Sequence, residues 1–236
     1  MKKFSYPKNK INVLLLEKVD KVAFELFNGE GYNVECIDGS LNESELIDKI
    51  KNISILGIRS KTKISKKVID SANKLLSIGA FCIGTNQISL DECNNSGVVV
   101  FNAPYSNTRS VVEIVIAQMI NLLRKIIIKS NNMHSGIWNK DSIDSYEVRN
   151  KVVGIVGYGN IGSQLSVICE ALGMKVVYYD IVDKLSLGNA KKCKSLSELL
   201  RKSDIISLHV DGRDNNTKLI SDNEFALMKE KSILIN

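Results

Sequence analysis

Short apolar runs alternate with longer amphipathic segments along nearly the whole chain, and this rhythm limits the fold more than any other feature. Ile11–Leu16, Asn33–Cys36, Ile53–Ile58 and Val98–Phe101 read as strands. Leu75–Ile78 and Ala80–Ile83 read as a strand with its turn. Between them Val19–Phe27, Glu43–Ile50, Ser65–Ala72 and Ser89–Asn95 read as helices. Strands joined through helices run parallel, because each crossover returns the chain to the same end of the sheet. A parallel sheet is covered on both faces, so its strands are apolar runs, as these are. The expected fold class is α/β, built on doubly wound parallel sheets.

The rhythm is interrupted once. A helix is expected from Ser110 to Lys129, with Ser110 and Glu113 at capping-box spacing. Apolar residues between Val111 and Leu123 occupy nearly all of its faces. Such a helix has to be covered on several sides; it suits a hinge between domains and part of a subunit interface, or an ordinary core helix. A polar, loop-like stretch, His134 to Asn150, follows. The rhythm then restarts, with strands at Val152–Val156, Lys175–Tyr179, Ile205–His209 and Ser232–Ile235. Helices fall at Ile161–Leu172, Leu196–Lys202 and Asp222–Leu227. In a sheet ordered 3-2-1-4-5-6 these would be strands one to four. Ile233, Leu234 and Ile235 would then form an interior strand left at an edge, a template for aggregation.

The 236 residues allow one large domain or two small ones. A composition of 44% hydrophobic and 25% charged residues is that of an ordinary globular chain. The net charge of +6 is spread along the sequence, which suits an anionic substrate or cofactor and gives no reason to expect nucleic acid. Five cysteines, with no CxxC pair, read as reduced thiols, and no Cys/His cluster has metal-ligand spacing. Met1-Lys2-Lys3 is followed only by the short apolar run Val13–Leu16, too short for a secretion signal. Val111–Leu123 is broken by Glu113, Gln118 and Asn121, short of the roughly 20 residues of a membrane span. No membrane partner and a cytoplasmic location are expected.

Gly157-Tyr-Gly159-Asn160-Ile161-Gly162 is a full GxGxxG, and it lies where such a motif can act, between an apolar strand and an apolar helix. Gly157 permits the tight turn, Gly159 admits a pyrophosphate to the backbone, and Gly162 lets helix and strand pack closely. The helix start offers unpaired N–H groups and a positive dipole end. The next strand ends in Asp180, 18 residues beyond Gly162. A carboxylate there can accept from both ribose hydroxyls and repel a 2′-phosphate, so NAD is the expected cofactor rather than NADP. A glycine-rich turn without a ligand is the bland alternative.

With these residues in view, the sequence resembles the D-isomer-specific 2-hydroxyacid dehydrogenases. The resemblance runs from Ile11 to Asn236. It is most specific at Gly57–Thr62, Ile78–Gln87, Phe101–Glu113, Gly136–Lys140, the Gly157 turn, Gly188–Ala190 and Ser207–Val210. It implies a flavodoxin-like substrate domain over residues 1–105 and a Rossmann NAD-binding domain over 106–236, the second incomplete. Arg59, Ser60, Lys61 and Asn107 match positions that line a substrate pocket, and the cations suit a small phosphorylated 2-hydroxy acid. His209 and Thr217 match positions along the cofactor cleft, while His134 has no implied chemistry. Trp138 and Lys140 match a segment at a subunit interface, so a homo-oligomer formed through the cofactor domain is implied. Asp211 stands where the family usually has proline. The arginine, glutamate and histidine that perform the family's chemistry come later than Asn236, so no catalytic residue is assigned. The chain is expected to be a front part without autonomous activity. A non-enzymatic NAD-binding protein, or a dehydrogenase for another 2-hydroxy acid, is the alternative.

Overall fold

In a computed structural model, residues 6–212 and 216–236 are described; Met1-Lys2-Lys3 lies outside them. The chain divides into two compact units, with the boundary between Ser106 and Asn107.

The first unit carries β1 (Asn12–Leu16), α1 (Lys21–Gly29), β2 (Asn33–Ile37), α2 (Glu43–Ile50), β3 (Ile55–Ile58) and α3 (Lys66–Asp70). β4 (Ser77–Ala80), α4 (Leu90–Asn95) and β5 (Val99–Asn102) complete it. Its five strands are parallel in the order β2-β1-β3-β4-β5, the flavodoxin-like arrangement expected. Leu14, Leu16, Leu56, Ile58 and Ile78 are buried in its core with Leu46 and Ile50 of α2. α2 starts sharply because Asn42 and Glu45 satisfy each other's backbone N–H groups at 3.0 and 2.9 Å. The strand with its turn expected over residues 75–83 is β4, starting two residues later at Ser77, followed by a bend.

The second unit carries α5 (Thr108–Arg124), α6 (Ile126–His134), β6 (Val152–Val156), α7 (Asn160–Ala171) and β7 (Lys175–Tyr179). β8 (Lys191–Lys192), α8 (Leu196–Lys202), β9 (Ile205–Leu208), α9 (Asp222–Phe225) and β10 (Ile233–Ile235) follow. Its strands are parallel in the order β10-β9-β6-β7-β8. This corrects the strand count. The two-residue β8 is the third strand, so Ile205–Leu208 is the fourth and pairs directly with β6, and Ile233–Ile235 is the fifth. β8 consists of two exposed lysines and carries no apolar signal.

The long helix is also corrected. It begins at Thr108, and Lys125, with φ 53°, breaks it into α5 and α6. No Ser110–Glu113 capping box forms; Glu113 instead pairs with Arg109 at 2.9 Å, one turn earlier. Nor is α5 covered all round within its unit. Val112, Val115, Met119 and Leu123 form one buried stripe, and α5 packs against α7. Ile114 and Leu122 remain exposed, as do Ile126, Ile127 and Ile128 of α6. No helix among the described residues is long and apolar enough to cross a membrane.

Candidate functional site

Strand order in the second unit reverses between β6 and β9, and ligands of open α/β sheets bind outside the carboxyl ends of strands at such a point. A crevice of about 260 Å³ opens there, lined by Gly157, Gly159, Asp180, Ile181, Lys184, His209 and neighbouring residues. Pockets that enclose drug-sized ligands run to roughly 300–1,000 Å³. An extended dinucleotide would therefore lie along this crevice with one side open.

The three glycines do different work. Gly157 has φ 90°, and an added Cβ would run into the backbone carbonyl of His209. At Gly162 a Cβ would come closer than 3.0 Å to the Gly157 carbonyl oxygen, so the helix could not sit this close to the turn. At Gly159 nothing lies within 4 Å of where a Cβ would be. That position is open toward the crevice, beside the first turn of α7, whose start has no side-chain cap. N–H donors at an uncapped helix start, beside a position where a Cβ would meet nothing, fit a phosphate group. Asn160 is the exposed first residue of α7, and Ile161 packs partly into the core beneath it.

Asp180 is tied to the same turn. Its Oδ2 accepts from Tyr158 N–H at 2.7 Å and its Oδ1 from Val182 N–H at 2.9 Å. Each oxygen retains a lone pair that can face a ribose hydroxyl. His209 begins the far wall. Its N–H donates to Val156 O at 2.7 Å, and its Nε2 lies 2.9 Å from Ser207 Oγ. Burial lowers its pKa to about 4, so the ring is neutral near pH 7 and serves there as a polar wall, not a cation. The folded value is below the free value of 6.5. The unfolded chain therefore takes up a proton first, and His209 withdraws stability as pH falls from 6.5 towards 4. An NMR titration of the imidazole should give a midpoint near 4; a midpoint near 6.5 would refute the burial argument.

Thr217 is exposed and lines an adjoining crevice with Asn216, Leu219 and Phe225, not the first one. Asp211, which stands where the resemblance leads one to expect proline, accepts at its backbone O from Asn216 Nδ2 at 2.9 Å.

The substrate candidates fall in both units. Arg59, Ser60 and Lys61 follow β3 in the first, at its own switch point between β1 and β3, and all three are exposed. Asn107 is the N-cap residue of α5 in the second unit, and its side chain makes no cap hydrogen bond. The turn carrying Arg59 is held by a residue that sequence reasoning missed. Glu17 follows β1 in the turn with φ 63°, is only 8% exposed, and accepts from Lys61 N–H at 2.9 Å and Thr62 N–H at 2.8 Å. Burial opposes its charge, but these hydrogen bonds outweigh it and hold its pKa below the usual value. Gln87 Nε2 donates to Arg59 O at 2.8 Å from the other side. A Glu17→Gln change would turn one acceptor oxygen into a donor facing a backbone N–H. It should cost about 1–2 kcal/mol in urea unfolding followed by circular dichroism. No change in midpoint would mean that the turn is held without it.

Residues 116–236 match the NAD binding domain of the D-isomer specific 2-hydroxyacid dehydrogenases. The chain belongs to this family. Among curated members it is 47% identical over 232 residues to D-3-phosphoglycerate dehydrogenase of Dictyostelium discoideum, covering 98% of this chain and 57% of that protein. It is 46% identical over 237 residues to D-3-phosphoglycerate dehydrogenase of Escherichia coli K12, covering 100% and 58%. The chain thus spans somewhat over half the length of these dehydrogenases. A crystal structure of D-lactate dehydrogenase from Aquifex aeolicus, complexed with NAD and lactic acid, superposes with a TM-score of 0.85 at 25% identity, covering 95% of this chain and 68% of that one. The GxGxxG and the strand-terminal acid that point to a dinucleotide therefore lie inside the segment that matches the family's NAD-binding domain.

Proposed function

We propose that this chain forms the cofactor site and part of the substrate site of a D-3-phosphoglycerate dehydrogenase, acting in the cytoplasm. The intact reaction oxidises 3-phospho-D-glycerate to 3-phosphohydroxypyruvate, toward serine. The supporting observation is identity of 46–47% to such enzymes sustained across both units.

Gly157, Gly159, Asn160, Ile161 and Gly162 would hold the pyrophosphate, and Asp180 the adenosine ribose. His209 and Thr217 would flank the remainder of the cofactor. Bound NAD would supply the hydride acceptor. Arg59, Ser60 and Lys61 of the first unit would bind and orient the phosphorylated acid: a guanidinium gives a fixed, bidentate partner for an oxyanion, and a hydroxyl adds a directional donor. In the second unit, Asn107 is proposed separately as a substrate contact. A homo-oligomer formed through the second unit is supported by the exposed Ile114, Leu122, Ile127, Ile128 and Trp138. Lys140 lies over the Trp138 ring at 5.8 Å in the same segment.

Calorimetric titration of 3-phosphoglycerate and of glycerate, in the presence of NAD, tests the substrate assignment. The phosphorylated acid should bind about tenfold tighter or better, and Arg59→Ala should narrow that ratio by about tenfold, the scale of one charge-assisted contact. Equal affinities in the wild type would assign the chain to another 2-hydroxy acid. An unchanged ratio in the variant would remove Arg59 from the phosphate site.

A further inference from the structure

We propose that Tyr158 and Tyr178 are positioning residues for the cofactor, their stacked rings and hydroxyls holding segment 181–187 as the adenosine-side wall of the crevice. This rests on the cofactor reading above and concerns how that site is built.

Between Asp180 and β8 the chain has neither helix nor strand, yet Ile181, Val182 and Lys184 line the crevice. Apolar burial does not fix this segment: Ile181 is 79% exposed and Leu185 92%. Hydrogen bonds do. Tyr178 O–H donates to Lys184 O at 2.8 Å and lies 3.0 Å from Ser186 Oγ. Leu187 N–H donates to the Tyr158 hydroxyl at 3.3 Å, and that hydroxyl donates to the buried Ser166 Oγ at 3.0 Å. Beyond it, Glu170 accepts from Asn189 N–H at 2.9 Å.

The two rings are buried and stacked, with centroids 3.8 Å apart and planes at 22°. Each has an apolar body in the core and a polar tip at the segment, the division of labour for which tyrosine is suited. Tyr158 stands between Gly157 and Gly159, and its own N–H donates to Asp180. The glycine turn, the acid and the wall are therefore one hydrogen-bonded assembly. A wall ordered before the ligand arrives spares the binding step its ordering entropy. Loosening it should weaken binding of the adenosine half without unfolding the unit.

Tyr178→Phe removes one tip and keeps the ring in the stack. Ser186→Ala removes one contact from the exposed side, where no core packing is at risk. Tyr158→Phe is a poorer probe, because it would also orphan the buried Ser166 hydroxyl. NAD and AMP are titrated by calorimetry into wild type and both variants, and deuterium uptake is followed by mass spectrometry. Tyr178→Phe should weaken both ligands about tenfold and Ser186→Ala about threefold, the scale of one or two hydrogen bonds. Faster uptake should be confined to residues 181–187, which a general loss of stability would not produce. If Tyr178→Phe does not fold, Ser186→Ala decides. Affinities within about twofold of wild type in the folded variants would overturn the proposal and leave the cofactor reading intact. A wild-type protein that binds neither NAD nor AMP would overturn both.

Discussion

Gly162→Ala should destabilise the second unit by about 3 kcal/mol, the upper end of the usual cost of overpacking, while Gly159→Ala should leave stability within about 0.5 kcal/mol. The two substitutions add the same methyl group three residues apart. At Gly162 the methyl carbon would meet the Gly157 carbonyl oxygen and the Ile155 side chain. The first is backbone and cannot swing aside, so α7 would have to move off β6. Leu165 and Cys169 of α7 are fully buried beneath it, and that contact would open. At Gly159 the methyl would meet no atom of the protein within 4 Å. It would project into the space where a pyrophosphate must approach the helix start. NAD affinity should therefore fall about tenfold or more in Gly159→Ala, as expected when a charge-assisted backbone contact is lost. Urea unfolding followed by circular dichroism, paired with NAD titration, separates the two effects. If Gly159→Ala lost stability and kept its NAD affinity, the cradle would be assigned to the wrong glycine.

Asp180→Ala should weaken NAD binding by about 1–3 kcal/mol, or roughly fivefold to 150-fold. NADP affinity should change much less, so discrimination between the two collapses. The argument is electrostatic. The carboxylate sits at the end of β7 facing the crevice, where it can accept from two ribose hydroxyls and repel a 2′-phosphate. Lys184 lines the same crevice and would offer a 2′-phosphate a countercharge once Asp180 is removed. Part of the NAD loss comes through the protein itself, since Tyr158 N–H and Val182 N–H lose their acceptor. Asp180→Asn separates these contributions: its amide oxygen can replace one acceptor but carries no charge. Titration of both cofactors into the three proteins checks this. Parallel losses for NAD and NADP in Asp180→Ala would show that the residue only braces the turn.

The parts of the molecule that were legible in the sequence are those governed by local geometry. Gly157, Gly159 and Gly162 act at fixed spacing within one turn, and Asp180 follows at a distance set by one helix and one strand. The βα rhythm is equally local, so both parallel sheets could be read from it. What escaped depends on tertiary surroundings. β8 is two lysines whose backbone happens to meet Val177 and Tyr178. Without it, every later strand of that sheet was counted one place early. The break at Lys125 is a backbone angle that no apolar pattern records. Glu17 looks like any polar residue following a strand until Lys61 and Thr62, far along the chain, turn their N–H groups toward it. Tyr158 reads as a variable position of the glycine motif and Tyr178 as an ordinary strand residue, although their hydroxyls reach a segment without regular structure.

The most direct test of the account is calorimetric titration of NAD and of NADP into the wild-type protein at moderate ionic strength. Gly159 and Asp180 lie in one crevice of the second unit, so one NAD should bind per chain, at least about tenfold tighter than NADP. Absence of NAD binding, or equal affinity for NADP, would contradict the assignment of this crevice.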